Sequence, residues 1–297
     1  MEKIKKLKQT FRREKIDGYI IPKNDEFFGE YLPSYNDRLN YISNFSGSYG
    51  FSIILKNQSY LFVDGRYTLQ AKNQSGHFFK IITFPNLMPA RVLKGKEYII
   101  GFDPKLFTNK MLNFFLNKKK FRLKPIRRNL IDEIWKRKFK KNKSKIYSLP
   151  DSSGIENYRL KINKVVSNLR KKGANYQFIT SSENNAWLFN IRGFDSKFTP
   201  IPNCHSLIDK NGNINFFCNL NKIDLSLRKK FKKIKFLETR DTCKILSKIK
   251  NKKFLVDQNT CSIFFENIIL KNNKIINFND FIYSLKAIKN HKEIENI

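Results

Sequence analysis

One short pattern occurs twice in this chain, and its recurrence narrows the architecture to a duplicated one. Tyr41-Ile42-Ser43-Asn44-Phe45-Ser46-Gly47 and Trp187-Leu188-Phe189-Asn190-Ile191-Arg192-Gly193 both read aromatic-x-x-Asn-apolar-x-Gly. Seven positions alone are only suggestive, but the neighbouring elements agree as well. In the first half, Ile4, Leu7 and Phe11 share a helix face, and Gly18-Tyr19-Ile20-Ile21-Pro22 reads as a buried strand ended by proline. The pattern follows, then strand-like runs over 49–55 and 59–63 flank Lys56-Asn57-Gln58 as in a hairpin. A helix over 65–73, strands over 77–83 and 97–103, a helix over 106–116 and a strand over 121–126 complete the series.

The second half repeats that order. Tyr158, Ile162, Val165, Val166 and Leu169 line one face of a helix over 155–171, which Gly173 stops. A strand over 176–180 follows, then the second copy of the pattern. Runs at 206–209 and 213–217 next form a hairpin around Asn211-Gly212, a strong turn signal. Strands over 234–237, 254–257 and 275–278 alternate with helices over 242–249 and 261–270. Between the halves, 127–151 is basic and irregular, with a helical piece over 129–138, and reads as a linker. The expected fold class is α/β, two related domains whose mixed sheets are flanked by helices.

Composition admits this. The 297 residues are 40% hydrophobic with 28 phenylalanines, enough for two cores and outside the disordered range. Apolar stretches such as 98–102 and 263–265 are too short to span a bilayer, and residues 1–13 lack the apolar core of a secretory signal. The expectation is a cytoplasmic protein with no membrane partner. The formal charge of +34 invites a nucleic-acid reading. Lysine far exceeds arginine, however, and asparagine and isoleucine are abundant too, as in drift toward A and T codons. The densest basic run, 127–145, holds Trp135 and Phe139 but no nucleic-acid motif, so no specific nucleic acid is expected. Cys204, Cys218, Cys243 and Cys261 form no Cys-x-x-Cys pair and read as small buried or half-buried thiols. Cys204 and His205 are strand neighbours and should face opposite ways.

The residues alone reveal no catalytic constellation. His77, His205 and His291 are far apart, without metal-ligand spacing. No nucleophile elbow, phosphate loop or dinucleotide fingerprint is present. Carboxylates number 25 against 59 basic groups, and Asp132-Glu133 and Asp257 read as solvated or strand-end residues. Two segments stand out. Asn44-Phe45-Ser46-Gly47-Ser48-Tyr49-Gly50 is rich in small residues before a strand, and Asp64-Gly65-Arg66-Tyr67 sits at a strand exit, where α/β sheets place functional groups. On chemistry alone, Arg66 capping a turn and pairing with Asp64 is the preferred reading over a binding role.

A resemblance adds to this. Ile20-Ile21-Pro22 with Gly29-Glu30-Tyr31-Leu32 makes a first motif, and Arg38-Leu39-Asn40-Tyr41-Ile42-Ser43-Asn44-Phe45-Ser46-Gly47-Ser48 a second. Phe62-Val63-Asp64-Gly65-Arg66-Tyr67-Thr68-Leu69-Gln70-Ala71 and Asn129-Leu130-Ile131-Asp132-Glu133-Ile134-Trp135 follow, then Asn185-Ala186-Trp187-Leu188-Phe189-Asn190-Ile191-Arg192-Gly193-Phe194-Asp195. In this order they resemble the amino-terminal region of the Xaa-Pro aminopeptidases (aminopeptidase P) of the creatinase-like metallopeptidase family. Lys286-Ala287-Ile288-Lys289-Asn290 and Glu293-Ile294-Glu295 are similar to the opening of that family's catalytic domain.

The resemblance implies two creatinase N-terminal-like (ribonuclease H-like) domains at 1–150 and 151–284. Residues 285–297 would then begin a pita-bread catalytic domain that this chain otherwise lacks. For the parent protein it implies a dinuclear metal centre, usually manganese, whose activated water cleaves the bond before a proline in the second position. None of the family's Asp, His and Glu ligands maps onto a residue here, so this chain is expected to bind no catalytic metal and to be inactive alone. Arg66 is the one site residue carried over, as a contact to peptide substrate, and the amino-terminal domains are implied in a homodimer. The alternative is a standalone, non-catalytic dimerisation or peptide-binding module.

Overall fold

A computed structural model describes residues 2–93, 97–116, 121–137, 144–150 and 154–295. They form two compact units, Met1–Glu26 with Leu32–Lys140, and Phe27–Tyr31 with Lys141–Ile297. Of the expected linker over 127–151, residues 138–143 and 151 lie outside the described residues.

The first unit is built on strands β1 (Gly18–Pro22), β2 (Gly50–Leu55), β3 (Ser59–Val63), β4 (Lys80–Thr83), β5 (Ile99–Phe102) and β6 (Arg122–Pro125). They lie in the order β4-β3-β2-β1-β5-β6. β2 is antiparallel to β1 and β3, and the other pairs are parallel. The helices are α1 (Glu2–Glu14), α2 (Arg38–Ser43), α3 (Thr68–Ser75), α4 (Pro89–Val92), α5 (Asn109–Leu116) and α6 (Leu130–Ile134). Strand alternation sends Tyr19, Ile21, Ile54, Leu61 and Val63 into one core with Leu7 and Phe11 of α1. Elsewhere Phe51 stacks on Phe62 at 4.7 Å and on Phe115 of α5 at 4.2 Å, with Phe84 edge-on at 5.3 Å. Stacked and T-shaped pairs at these spacings suit the quadrupoles of the rings.

Two expected helices change. That over 65–73 opens as a 3-10 turn, Gly65–Tyr67, and becomes α3 only at Thr68. That over 129–138 is the short α6, capped by Asn129, because Trp135 turns extended (φ −99°, ψ 104°). Its indole then stacks 4.6 Å from the Tyr41 ring, with the two planes nearly parallel. This stack outweighs the helical pattern of the sequence.

The second unit adds a two-stranded ribbon, β7 (Tyr147–Ser148), to the main strand β8 (Tyr176–Ile179) and its neighbours. β9 (Ile191–Arg192) pairs with β7, and β10 (His205–Asp209), β11 (Ile214–Cys218), β12 (Ile234–Glu238), β13 (Lys253–Asp257) and β14 (Lys274–Phe278) join β8. The helices are α7 (Tyr158–Lys171), α8 (Ser182–Leu188), α9 (Leu225–Lys230), α10 (Thr242–Lys248), α11 (Ile263–Leu270), α12 (Phe281–Ala287) and α13 (His291–Glu295). α7 starts three residues later than the expected 155 because the Asn157 side chain accepts from Arg159 N at 2.9 Å. The hairpin at Gly212 (φ 86°) is tied by Asp209, which accepts from Asn211 N and Asn213 N.

The order β12-β11-β10-β8-β13-β14 repeats the first sheet strand for strand, with the same parallel and antiparallel senses. The twice-used sequence pattern falls at equivalent places, across the ends of α2 and α8, and its asparagines, Asn44 (φ 62°) and Asn190 (φ 53°), both take the left-handed conformation. A lysine from the unit's first helix closes each copy. Lys3 Nζ donates to Tyr41 O at 2.9 Å and lies 4.7 Å from the Tyr41 ring centre. Lys161 Nζ donates to Trp187 O at 2.9 Å and Asn190 Oδ1 at 2.7 Å, and lies 3.9 Å from the Trp187 ring centre. The duplication therefore extends to individual side chains.

Candidate functional site

The two segments singled out in the sequence come together at one end of the first sheet. β3 ends at Val63, and Asp64 turns the chain into Gly65–Tyr67 by accepting from Arg66 N at 2.9 Å. The loop before β2 is braced against this turn. Ser48 Oγ and Tyr67 Oη are 2.7 Å apart, and the Gln70 and Gln74 side chains each bond Ser46. Phe45 is buried beneath, edge-on to Tyr67. Glycine is required at 47, since a Cβ there would stand 2.2 Å from Phe45 Cζ. The small residues thus let the loop lie flat over an aromatic floor.

Arg66 projects from this rim with its side chain 74% exposed. Its Nη2 donates to Asp64 Oδ2 at 2.6 Å and its Nε reaches both oxygens at 3.2 Å, while the guanidinium carbon lies 5.4 Å from the Tyr67 ring centre. The hydrogen bond from Arg66 holds the Asp64 carboxyl below its usual range, and the same pair raises the Arg66 pKa. Burial, then the Asp64 charge, raises the nearby Tyr49 phenol. Both sequence readings of Arg66 are therefore compatible with one geometry: it pairs with Asp64, and its Nη1 edge remains available to a ligand. Such a rim can orient a carbonyl or carboxylate. In the second unit the same turn is capped by Asn219, accepting from Asn221 N, so an asparagine stands where Arg66 does.

The other sequence candidates are structural. Cys204 packs in the core cluster with Val165 and Leu188, whereas the His205 ring meets Phe178 and Phe265 on the other side of its strand. His205 Nδ1 lies 3.1 Å from Thr180 O, and a carbonyl can only accept, so Nδ1 carries the proton. Burial lowers the His205 pKa to about 4, against 6.5 ordinarily. All four cysteines are free, and burial pushes the Cys218 thiol up to about 12. Asp195, at the end of the Asn185–Asp195 motif, makes a buried ion pair with Lys222 and accepts from Asn203 N, ordering the following loop.

Three groups escaped sequence reasoning. Arg38 is buried, with Nε and Nη2 on Asp132 at 2.8 and 3.0 Å and Nη2 on Glu26 at 2.6 Å. Burial raises the Glu26 carboxyl, but the charge and hydrogen bond of Arg38 outweigh it and the net shift is downward. Asp280 caps α12 while accepting from Gln177 and Asn184, and burial raises it to about 6. Lys161 is the third; its signal was its position on the apolar stripe of α7. Among the described residues no three His, Cys, Asp or Glu side chains gather as a metal site would require.

Two family models, each described as the creatinase/prolidase N-terminal domain, match residues 3–131 and 137–293. Among curated relatives, a probable Xaa-Pro aminopeptidase P of Coprinopsis cinerea is 28% identical over 207 residues, 66% of this chain and 33% of the relative. One from Penicillium rubens is 30% identical over 212 residues, 67% of this chain and 34% of the relative. The chain thus spans about a third of the length of these relatives. Among solved structures, an X-prolyl aminopeptidase from Caenorhabditis elegans, described as a cytosolic enzyme with a di-nuclear active site, shares the fold. Its TM-score is 0.89 at 23% identity, over 99% of this chain and 52% of that one.

Proposed function

Since the chain belongs to the creatinase/prolidase N-terminal family, we propose that it is the amino-terminal part of a metal-dependent aminopeptidase that removes the first residue of peptides with proline in second position. The observation that carries this reading is the set of Xaa-Pro aminopeptidase P relatives aligned over two thirds of the chain. On it, residues 1–150 and 151–284 are two ribonuclease H-like domains and 285–297 opens the catalytic domain. The C. elegans relative's description as cytosolic and di-nuclear supports a cytoplasmic enzyme with a metal pair, for which we take manganese. Among the described residues no helix is long and apolar enough to cross a membrane.

The described residues do not fit a metal pair themselves, and no hydrolytic step is assigned to them. Their task is substrate access and homodimer formation. Arg66 provides the substrate contact, because a planar guanidinium can keep Asp64 and still present donors to a peptide carbonyl or carboxylate. No specific nucleic acid or membrane partner belongs to this reading.

The test is hydrolysis of an Arg-Pro-Pro peptide with added manganese. The 297-residue chain should release no arginine, and a protein of the relatives' full length containing it should. Turnover by the chain alone, or none by the longer protein, would overturn the assignment. In the longer protein Arg66→Ala and Arg66→Lys should each lower kcat/KM about tenfold for peptides long enough to reach the rim, and less for a minimal dipeptide. Thermal stability should stay nearly unchanged, because an exposed pair is screened by solvent. A collapse in stability would make Arg66 a folding residue.

A further inference from the structure

The two units treat one equivalent place differently. In the first, the Tyr41 ring is covered by Trp135, with Arg137 lying 4.7 Å over the indole. Trp135 stands six residues beyond its helix cap, Asn129. In the second unit Trp187 takes the place of Tyr41, and the residue six beyond the Asp280 cap is Lys286, which stays within α12 rather than turning extended as Trp135 does. Trp187 instead borders an open cavity of about 410 Å³. The site of a ring in one unit is thus a vacancy in the other.

That vacancy is cationic. Its lining includes Arg192, Lys286 and Lys289 against the single carboxylate of Glu293. Each cation bonds only neutral acceptors among the described residues. Arg192 Nη1 reaches Ala186 O and Ile191 O, Lys286 Nζ reaches Asn184 Oδ1, and Lys289 Nζ reaches Ala287 O. Buried Lys161, on the Trp187 ring and likewise bonded to neutral oxygens, adds a fourth positive charge beside it. Burial lowers the pKa of Lys161 to about 8, outweighing the opposing charges of Glu293 and Glu156, and it also lowers those of Arg192 and Lys286, the latter against Glu183 and Asp280.

We propose that this cavity binds a small aromatic anion, its ring against Trp187 where the first unit uses Trp135, and its carboxylate or phosphate against Arg192, Lys286 and Lys289. Ring stacking supplies the shape preference, and unpaired guanidinium and ammonium donors supply the charge preference. The volume falls in the range of small-molecule sites.

The chain contains two tryptophans, so Trp135→Phe leaves Trp187 as the sole fluorescent indole. Benzoate and phenyl phosphate should each quench it saturably, and their relative affinities identify the preferred head group. Cyclohexanecarboxylate and inorganic phosphate, which lack an aromatic ring, should bind about tenfold more weakly. Lys286→Gln and Arg192→Gln should each weaken binding about tenfold. Lys171→Gln, an exposed lysine outside the cavity, should leave it unchanged. If Arg192→Gln unfolds, the exposed Lys289→Gln carries the same test. Lys286→Trp, which puts an indole into the cavity lining, should abolish binding in a protein that melts no lower. Failure to saturate, equal binding of the non-aromatic anions, or an equal loss with Lys171→Gln would show only the attraction of a highly positive chain, and would overturn the proposal.

Discussion

Replacing Arg38 with alanine should destabilise the first unit by about 3–5 kcal/mol, a large share of the stability of a domain this size. The guanidinium is only 2% exposed and joins three parts of the chain: the segment after β1 through Glu26, its own helix α2, and α6 through Asp132. Alanine removes three charge-assisted hydrogen bonds and leaves a void where the stem packed. The two carboxylates can partly rehydrate, since their side chains are 34% and 36% exposed. Arg38→Met, which keeps the stem, should therefore cost about 2–3 kcal/mol. Urea unfolding followed through Trp135, in a Trp187→Phe background, reads the first unit alone. A loss below about 1 kcal/mol for the alanine variant would mean that the network adds nothing beyond surface pairing.

In the second unit, His205→Phe and Asp280→Asn should change acid stability in opposite directions. His205 titrates at about 4 folded against 6.5 unfolded. Between those values the unfolded chain holds more protons, so this group costs stability as pH falls from 6.5 through 4. Asp280 titrates at about 6 folded against 3.8 unfolded. There the folded chain holds more protons, so this group adds stability as pH falls from 6 toward 3.8 and loses it again as pH rises. Each contribution amounts to about 3 kcal/mol across its window, and in wild type the two nearly cancel. Relative to wild type, His205→Phe should gain about that much between pH 6.5 and 4, and Asp280→Asn should lose it. Chemical denaturation at several pH values, followed through Trp187, measures both. Three parallel pH profiles would sink the argument.

Much of this architecture was legible because it rests on local chemistry. The hairpin at Gly212, the strands of the two sheets and the equivalent placing of the two pattern copies follow from turn preference, apolar alternation and a repeated seven-residue pattern. What stayed hidden depends on partners far apart in the chain. Nothing near Arg38 announces that it will meet Asp132, 94 positions away. Trp135 sat in a good helical pattern, and its partners outside the helix, Tyr41 and Arg137, could not be read from it. Lys161 carried a signal, a charge on an apolar stripe, that pattern reading passes over as a surface lysine. At the candidate site, the sequence pointed to Arg66 and to the Ser46–Ser48 loop separately; the bonds from Ser48 to Tyr67 and from Gln74 to Ser46 could be seen only in three dimensions.

The strand order gives each open sheet two borders, β4 and β6 in the first and β12 and β14 in the second. Unpaired borders are templates on which other chains can add strands and aggregate. Each border here carries an exposed cation: Lys80, Arg122, Lys235 and Lys274 respectively. A copy approaching any of them edge to edge would bring like charge against like, and β6 also ends in Pro125, which offers no N–H for pairing. Part of the basic excess thus stands where, among the described residues, the sheets end, and there its charge opposes strand addition without any ligand.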